Sequence, residues 1–309
     1  MRFYCLVNGM AGAGKGARLL RILGDLSRCG VLNGDVVALN PEKFAEQMRC
    51  ARSYDAILVA GGDGTVSRVA GALADAQIPI GVLPLGVGND LAKELGVYRL
   101  FSPASPETLL AHYAKARTRR FSLGKIVFDD GQVFRFINYL SFGFDAAAVI
   151  RFSALRSRYP WIAKLGGRLG CLALYGWCGL VNITTRLPAA LVVRDIATQR
   201  RVDAAGNVAL IFSNLRSYTG LGKVSRSGSP FDDRIECSLI KSLAGYARIF
   251  LGTNQEWGSS LAGFEVELPA QGAPLQIDGE PMPHICSRRC LVTLEGAVSM
   301  LVPAVSSPL

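Results

Sequence analysis

The sequence predicts an N-terminal α/β, doubly wound nucleotide-binding domain followed by a mainly antiparallel β domain. Three observations predict it. Early in the chain, apolar runs end again and again in a glycine-rich turn that opens a helix. Repeated β–turn–α units of this kind imply a parallel sheet with its ligands beyond the carboxyl ends of the strands. From Phe121 onward the pattern changes to short alternating or apolar runs, the mark of an antiparallel sheet. Finally, 309 residues, 50% of them hydrophobic, exceed one small core and fit two domains. The boundary falls near residue 122, giving domains over 1–122 and 123–309.

In chain order, Phe3 to Asn8 reads as the first strand and Gly9 to Gly16 as a glycine-rich turn. Ala17 to Leu26 carries a helical stripe of Leu19, Leu20, Leu23 and Leu26. Asp35 to Leu39 is a second strand, and Pro41 to Arg52 a helix with Pro41 in its first turn. The run Ala56 to Ala60 ends in Gly61-Gly62-Asp63-Gly64-Thr65, and Val66, Val69, Ala70, Leu73 and Ala74 then fall at helical spacing. Ile78 to Leu83 ends in Pro84-Leu85-Gly86-Val87-Gly88-Asn89-Asp90, before a short helix, Leu91 to Leu95, closed by Gly96. Glu107 to Ala116 is one more helix. Strand-like runs follow at 123–129, 133–142, 189–194, 207–213, 235–240, 264–268, 275–277, 290–294 and 298–302.

A net charge of +10 points to an anionic partner. No basic motif interleaved with aromatics accompanies it, so nucleic acid is not favoured. Eight scattered cysteines without a C-x-x-C pair, and only His112 and His284, argue against zinc. The cysteines read as buried thiols of a reducing compartment. The N-terminal apolar run is too short for a signal peptide. The stretch Leu169 to Ile183 is about 15 residues, against roughly 20 for a spanning helix. These features predict a cytoplasmic protein with contact to a membrane surface.

Glycines let backbone approach a ligand closely, and helix N-termini favour anions. Turns of this type on successive strands of one sheet therefore predict a phosphate site. Asp63 and Asp90 beside it make sense as Mg²⁺ partners or reactive carboxylates. The plainer alternative is Gly/Asp turns that hold no ligand. The first turn, Gly9 to Gly16, nearly matches a P-loop through Gly9, Gly14 and Lys15, but Gly16 stands where that motif places Ser or Thr.

GGDGT, followed at this distance by LPLGVGNDLA, resembles the diacylglycerol kinase catalytic domain, whose superfamily includes sphingosine, ceramide and bacterial lipid kinases. Asn8 and Gly12 match the family's Asn-Pro-x-Ser-Gly, with Gly9 and Ala11 replacing its Pro and Ser. The segment Asn138 to Ala146 is similar to the family's Asn-x-x-Ser-x-Gly-x-Asp-Ala. Asn214 with Tyr218-Thr219-Gly220 and Gly222, Asp232-Asp233-Arg234 and Asp278-Gly279-Glu280-Pro281 resemble further family blocks. GGDGT alone is shared with NAD kinases; the ordered set is specific.

The resemblance implies ATP and Mg²⁺ as cofactors, with diacylglycerol or a related lipid as acceptor. Glu280 is then the general base, with a solvated hairpin acid as its alternative. Asp63 orients Mg²⁺ and the γ-phosphate. Asn8, Gly12, Lys15, Gly61, Gly62, Gly64, Thr65, Gly86, Gly88, Asn89 and Asp90 form the nucleotide site. Asp233 is a structural Mg²⁺ ligand, with carbonyls near Pro230 and Ile235, or else a plain surface aspartate. Val87 stands where the family usually carries Thr, with the loss of one hydroxyl. Three other readings stay open: a sphingoid or other lipid kinase, an NAD kinase-like enzyme, and a lipid- or nucleotide-binding pseudokinase suggested by Ala11, Gly16 and Val87.

Between Asp145 and Asp195 the chain has no acidic residue but contains Arg151, Arg156, Arg158, Lys164, Arg168, Arg186 and Arg194. With Trp161, Leu165, Leu169, Leu172, Leu174, Tyr175, Trp177 and Leu180, this suits a segment lying in the headgroup plane of an anionic membrane. A helical subdomain with core Trp and Leu is the alternative.

Overall fold

The structure is a computed structural model that describes residues 1–282, 285 and 287–303, without the side chains of 160–169 and 172. The chain divides into two units, Met1–Phe121 with Gly296–Leu309, and Ser122–Glu295. Gly296–Leu309, which the sequence reading assigned to the second domain, thus groups with the first.

The first unit is the α/β part. Its elements are β1 (Phe3–Val7), α1 (Lys15–Arg28), β2 (Gly34–Ala38), α2 (Phe44–Ala51), β3 (Ala56–Gly61), α3 (Asp63–Ala72), β4 (Ile80–Pro84), α4 (Asp90–Glu94) and α5 (Glu107–Ala114). The strands are parallel in the order β2-β1-β3-β4, with Phe3 opposite both Gly34 and Ala56, and Ile57 opposite Ile80. Every residue of β1, β3 and β4 is buried, whereas β2, at the edge, is part-exposed. Continuous apolar runs are what a parallel sheet covered on both faces requires. Gly96, at φ +73°, closes α4 as expected, with the Val97 N–H donating to the Ala92 carbonyl.

The second unit is mainly antiparallel β. It takes up β5 (Arg117–Phe128) as that strand leaves the first unit. It then contains β6 (Val133–Phe136), β7 (Tyr139–Gly143), α6 (Phe144–Arg158), α7 (Pro160–Val181), β8 (Val192–Asp195), β9 (Arg201–Asp203) and β10 (Ala209–Ser213). Next come β11 (Ser217–Tyr218), β12 (Gly222–Lys223), β13 (Ile235–Ile240), α8 (Leu243–Phe250), β14 (Gly258–Ser260), β15 (Phe264–Glu267), β16 (Leu275–Ile277) and β17 (Glu280–Pro281). The last strand, β18 (Arg289–Val302), runs back into the first unit, where Met300 pairs in parallel with Ile80. One antiparallel sheet has the order β14-β13-β10-β7-β16-β17. Elsewhere in this unit β15 pairs with β8 and with the start of β18. Phe136, Leu140, Phe142, Phe212, Cys237, Phe264 and Val292 belong to one buried cluster.

Several sequence expectations change. The runs 290–294 and 298–302 are one strand, with Gly296 at φ +63° inside it. Pro41 precedes its helix, which begins at Phe44. The helix α8 interrupts what reads as an all-strand region. Cys5, Cys178, Cys237 and Cys290 are buried, but Cys29 and Cys50 are exposed, so thiol burial holds only for part of the set. Among the described residues no helix is long and apolar enough to cross a membrane.

Candidate functional site

In the first unit, the turns after β1, β3 and β4 meet beyond the carboxyl ends of their strands. Asn8 Nδ2 donates to Thr65 Oγ1 at 3.1 Å, and Asn8 Oδ1 accepts from the Met10 N–H at 3.1 Å. One side chain therefore ties the first turn to the start of α3. The second and third turns approach backbone to backbone: a Cβ on Gly86 would lie 2.8 Å from Gly62 Cα, so no larger residue fits there. Asn89 closes its own turn, accepting the Gly86 N–H and donating to the Gly86 carbonyl, both at 2.8 Å.

Asp63 makes a contact beyond its expected part. Its carboxylate accepts the Asp90 N–H at 3.1 Å and the Leu91 N–H at 3.3 Å. It stands in the first turn of α3 and caps the first turn of α4, a charge-assisted brace between two helix starts. The sequence reading aimed it at phosphate and metal and missed this contact. GGDGT and GNDLA lie far enough apart that spacing alone does not reveal their pairing.

Gly12, Ala13 and Gly14 all have positive φ, at 65°, 52° and 94°, so the first turn is a run of left-handed residues ending at α1. Lys15 is the first residue of that helix and is exposed. Gly16 is buried against the turn, where a Cβ would sit 2.1 Å from the Asn8 carbonyl oxygen. The departure from the P-loop pattern is thus steric. The helix start lies directly on the end of β1, and no side chain fits between them.

Gly61, Gly62, Gly64, Thr65, Gly86, Gly88 and Asp90 belong to the same three-turn assembly as Asn8 and Gly12. Val87 projects from it, exposed. Among the described residues no group of three or more His, Cys, Asp or Glu side chains could hold a metal ion.

The second unit holds the other two candidates. Glu280 is exposed and opens β17, directly after a turn formed by Asp278 (φ +50°) and Gly279 (φ +81°). Asp278 is buried and accepts three backbone N–H groups, from Ile137 at 2.8 Å, Asn138 at 2.8 Å and Tyr139 at 3.1 Å. Gln276 Oε1 accepts the Gly279 N–H at 2.8 Å, and its Nε2 donates to Ser141 Oγ at 2.7 Å. The Ser141 and Tyr218 hydroxyls both donate to Asp145 Oδ2. Burial raises the Asp145 carboxyl above its ordinary range, and these two hydroxyls oppose the rise. The Glu280 turn is therefore held from behind by a buried polar chain. Gln276 was legible in the sequence only as a strand residue.

Asp233 is exposed, has φ +56° and accepts the Ser122 hydroxyl. The Pro230 carbonyl, an expected co-ligand, accepts the Ser122 N–H at 2.9 Å. Of the basic apolar segment, Arg151, Arg156 and Arg158 are exposed, as are Trp177 and Leu180, at 59% and 63%. Tyr175 contacts Phe152, with ring centroids 5.8 Å apart. The side chains of Trp161, Lys164, Leu165, Arg168, Leu169 and Leu172 lie outside the described residues.

Comparison with known proteins places this architecture. A diacylglycerol kinase of Mycobacterium tuberculosis is 28% identical over 75% of this chain and 74% of its own length. Diacylglycerol kinase 2 of Arabidopsis thaliana is 30% identical over 82% of this chain, which spans only 40% of that relative. The crystal structure of a diacylglycerol kinase from Bacillus anthracis superposes with a TM-score of 0.66 at 17% identity, covering 98% of this chain and 97% of that one. Yeast NADH kinase gives a TM-score of 0.52 at 12% identity over 98% and 84%, so the fold is shared more widely than the sequence blocks. Residues 2–126 match the diacylglycerol kinase catalytic domain and residues 135–281 the diacylglycerol kinase accessory domain, and the chain belongs to the diacylglycerol kinase family.

Proposed function

We propose that this chain is an ATP-dependent lipid kinase that phosphorylates the primary hydroxyl of diacylglycerol to give phosphatidate. The observation that carries the reading is the three-turn assembly, in which Asn8, Gly62, Asp63, Gly86 and Asn89 lock glycine-rich backbone around the starts of helices. Such backbone presents N–H groups and positive dipole ends to phosphate. Phosphoryl transfer asks the protein chiefly for positioning and charge neutralisation. In the proposed step the acceptor hydroxyl gives its proton to the Glu280 carboxylate. A bond forms from the acceptor oxygen to the γ-phosphorus, and the bond from that phosphorus to ADP breaks. The exposure of Glu280 on a braced turn suits a base that must meet a lipid headgroup.

The carboxylates of Asp63 and Asp90 suit Mg²⁺, which takes oxygen ligands, keeps several waters and binds through one or two carboxylates together with substrate phosphates. Asp63 is the residue proposed to hold it, and the ion would neutralise phosphate charge. For Asp233 a structural role through Ser122 is the reading favoured here. The exposed Arg151, Arg156, Arg158, Trp177 and Leu180 are proposed to meet an anionic membrane surface.

The test is phosphorylation with Mg²⁺ and ATP of diacylglycerol, sphingosine, ceramide and NAD in parallel. Diacylglycerol is the expected acceptor. Phosphorylation of NAD and of no lipid refutes the proposal, and ATP binding without turnover of any acceptor points to a pseudokinase. Glu280→Gln is expected to lower kcat about 10²–10⁴-fold, the usual size of general-base catalysis. Because Glu280 is exposed, thermal stability should stay unchanged. Near-full activity of that variant removes Glu280 from the mechanism.

A further inference from the structure

A second surface of the Ser122–Glu295 unit has the composition of a bilayer contact, and it lies outside the basic segment between Asp145 and Asp195. The chain has no acidic residue between Asp203 and Asp232, and none between Glu236 and Glu256. The first interval contains Arg216, Lys223 and Arg226, and the second Lys241 and Arg248; all five are exposed. The structure brings these two intervals together. Strands β11 and β12 form a small hairpin, with Ser217 opposite Lys223 and Tyr218 opposite Gly222. Its turn has Thr219 and Gly220 at φ +52° and +76°.

The hairpin lies on the last turn of α8. A Cβ on Gly222 would be 2.8 Å from Ile249 Cγ2, and one on Gly252 would be 3.7 Å from Lys223 Cδ. Arg226 Nη2 donates to the Thr253 carbonyl at 3.4 Å, and buried Asn254 donates to the Val224 carbonyl at 2.6 Å. Behind the turn, Tyr218 is buried and donates to Asp145, so the hairpin is pinned at its base. Beside this contact three large apolar side chains are exposed: Leu221 at 61%, Phe250 at 52% and Leu251 at 75%. Besides the buried Asp145, the carboxylate of Glu256 lies beside the hairpin, and it is occupied by the Ser225 hydroxyl and the N–H groups of Arg226 and Ser227.

We infer that this hairpin and the end of α8 form a docking surface for an anionic lipid bilayer, with Leu221, Phe250 and Leu251 entering the acyl boundary and Lys223 and Arg248 meeting headgroups. Apolar tips beside exposed cations, with the local carboxylate turned onto backbone, are complementary to an anionic interface. The inference rests on the lipid-kinase reading only for the reason the protein visits a bilayer. The surface itself rests on the hairpin, the helix end and the charge pattern.

The experiment is co-sedimentation of the whole chain with phosphatidylcholine vesicles, with and without phosphatidylserine, at low and high salt. The variants are Phe250→Ser with Leu251→Ser, Leu221→Ser alone, and Lys223→Gln with Arg248→Gln. All replace exposed side chains, and unchanged melting temperatures confirm that the fold survives. The double serine variant should bind both vesicle types about tenfold more weakly, given the apolar area withdrawn from water at each site. The double glutamine variant should lose roughly 25-fold on phosphatidylserine vesicles alone, at about fivefold per cation, and show a shallower salt dependence. Equal sedimentation of parent and variants overturns the inference, as does failure of the parent to bind. If the parent is a dimer that the serine variants convert to monomer while vesicle binding stays unchanged, the surface joins two copies and the bilayer assignment fails. Phosphorylation of a short-chain soluble acceptor should be equal in parent and variants. If no acceptor is phosphorylated at all, the kinase reading falls while the vesicle result still decides the docking surface.

Discussion

Glu236 gives a test of how this fold handles a buried charge. It lies in β13 at 1% exposure, where Oε1 accepts the Ser259 hydroxyl at 3.1 Å and Oε2 has no partner among the described residues. Burial, then the nearby Asp232, pushes its carboxyl up from 4.5 to about 8; Ser259 and Arg234 oppose the rise, and Glu256 adds to it. Arg234 spends its guanidinium on Ser259 rather than on the carboxylate, through Nε to Oγ at 2.9 Å and Nη2 to the carbonyl at 2.6 Å. Because the folded value is raised, the folded protein keeps a proton that the unfolded chain has already released between these two pH values. The stability it contributes is therefore full below about pH 4.5 and lost as pH climbs through about 8. At about 1.4 kcal/mol per unit, the loss amounts to about 3–5 kcal/mol. Glu236→Gln keeps the neutral shape and removes the titration. Denaturant unfolding followed by circular dichroism should show the variant close to the parent near about pH 5 and more stable by most of that amount near about pH 8.5. A stability difference that is the same at both pH values refutes the assignment of a raised Glu236.

Other expectations follow from the glycine-rich turns. Gly16→Ser restores the P-loop residue type, yet its Cβ meets the Asn8 carbonyl at 2.1 Å. ATP affinity and melting temperature should both fall, and a gain in affinity would show that the turn opens to accept the side chain. Asp63→Asn replaces one acceptor with a donor facing the N–H groups of Asp90 and Leu91. It should cost about 1–3 kcal/mol in denaturant stability as well as most of kcat; unchanged stability would mean that the brace is weak and that Asp63 acts on the ligand alone. Val87→Thr, at an exposed position, should tighten ATP binding several-fold, about 1 kcal/mol for one added hydrogen bond. A titration showing unchanged or weaker affinity would show that the turn relies on other contacts.

The first unit was legible because its strands are covered on both faces. Runs such as Ala56–Gly61 and Ile80–Pro84 are continuously apolar, and glycine turns punctuate them. The second unit was legible as strands but less so as connections. The helix α8 escaped notice because it is only eight residues long, too short for its stripe of Leu243, Tyr246 and Ile249 to stand out from the strand-like runs around it. The site divides in the same way. Motif glycines can be found by spacing, whereas the Asp63 brace and the Gln276–Ser141–Asp145 chain depend on which distant segments the sheets bring side by side. The steric reason for Gly16 was likewise hidden, since a sequence displays the missing Ser but not the carbonyl that excludes it.

The course of β18 bears on how the protein is made. Ile80 finds its neighbour Met300 only after about 220 further residues have been made. Until then β4 presents an open strand edge whose residues are all apolar or glycine, the kind of template that other nascent chains can extend. The α/β unit therefore has to wait for the β unit, which is inserted in it like a long parenthesis. Such a closure between distant segments is slow, because the loop must be formed before its contacts are gained. A chain stopped just after α5 would keep every residue of the three glycine-rich turns and still lack the strand that seals its sheet, so its chief fate should be association with other copies through β4.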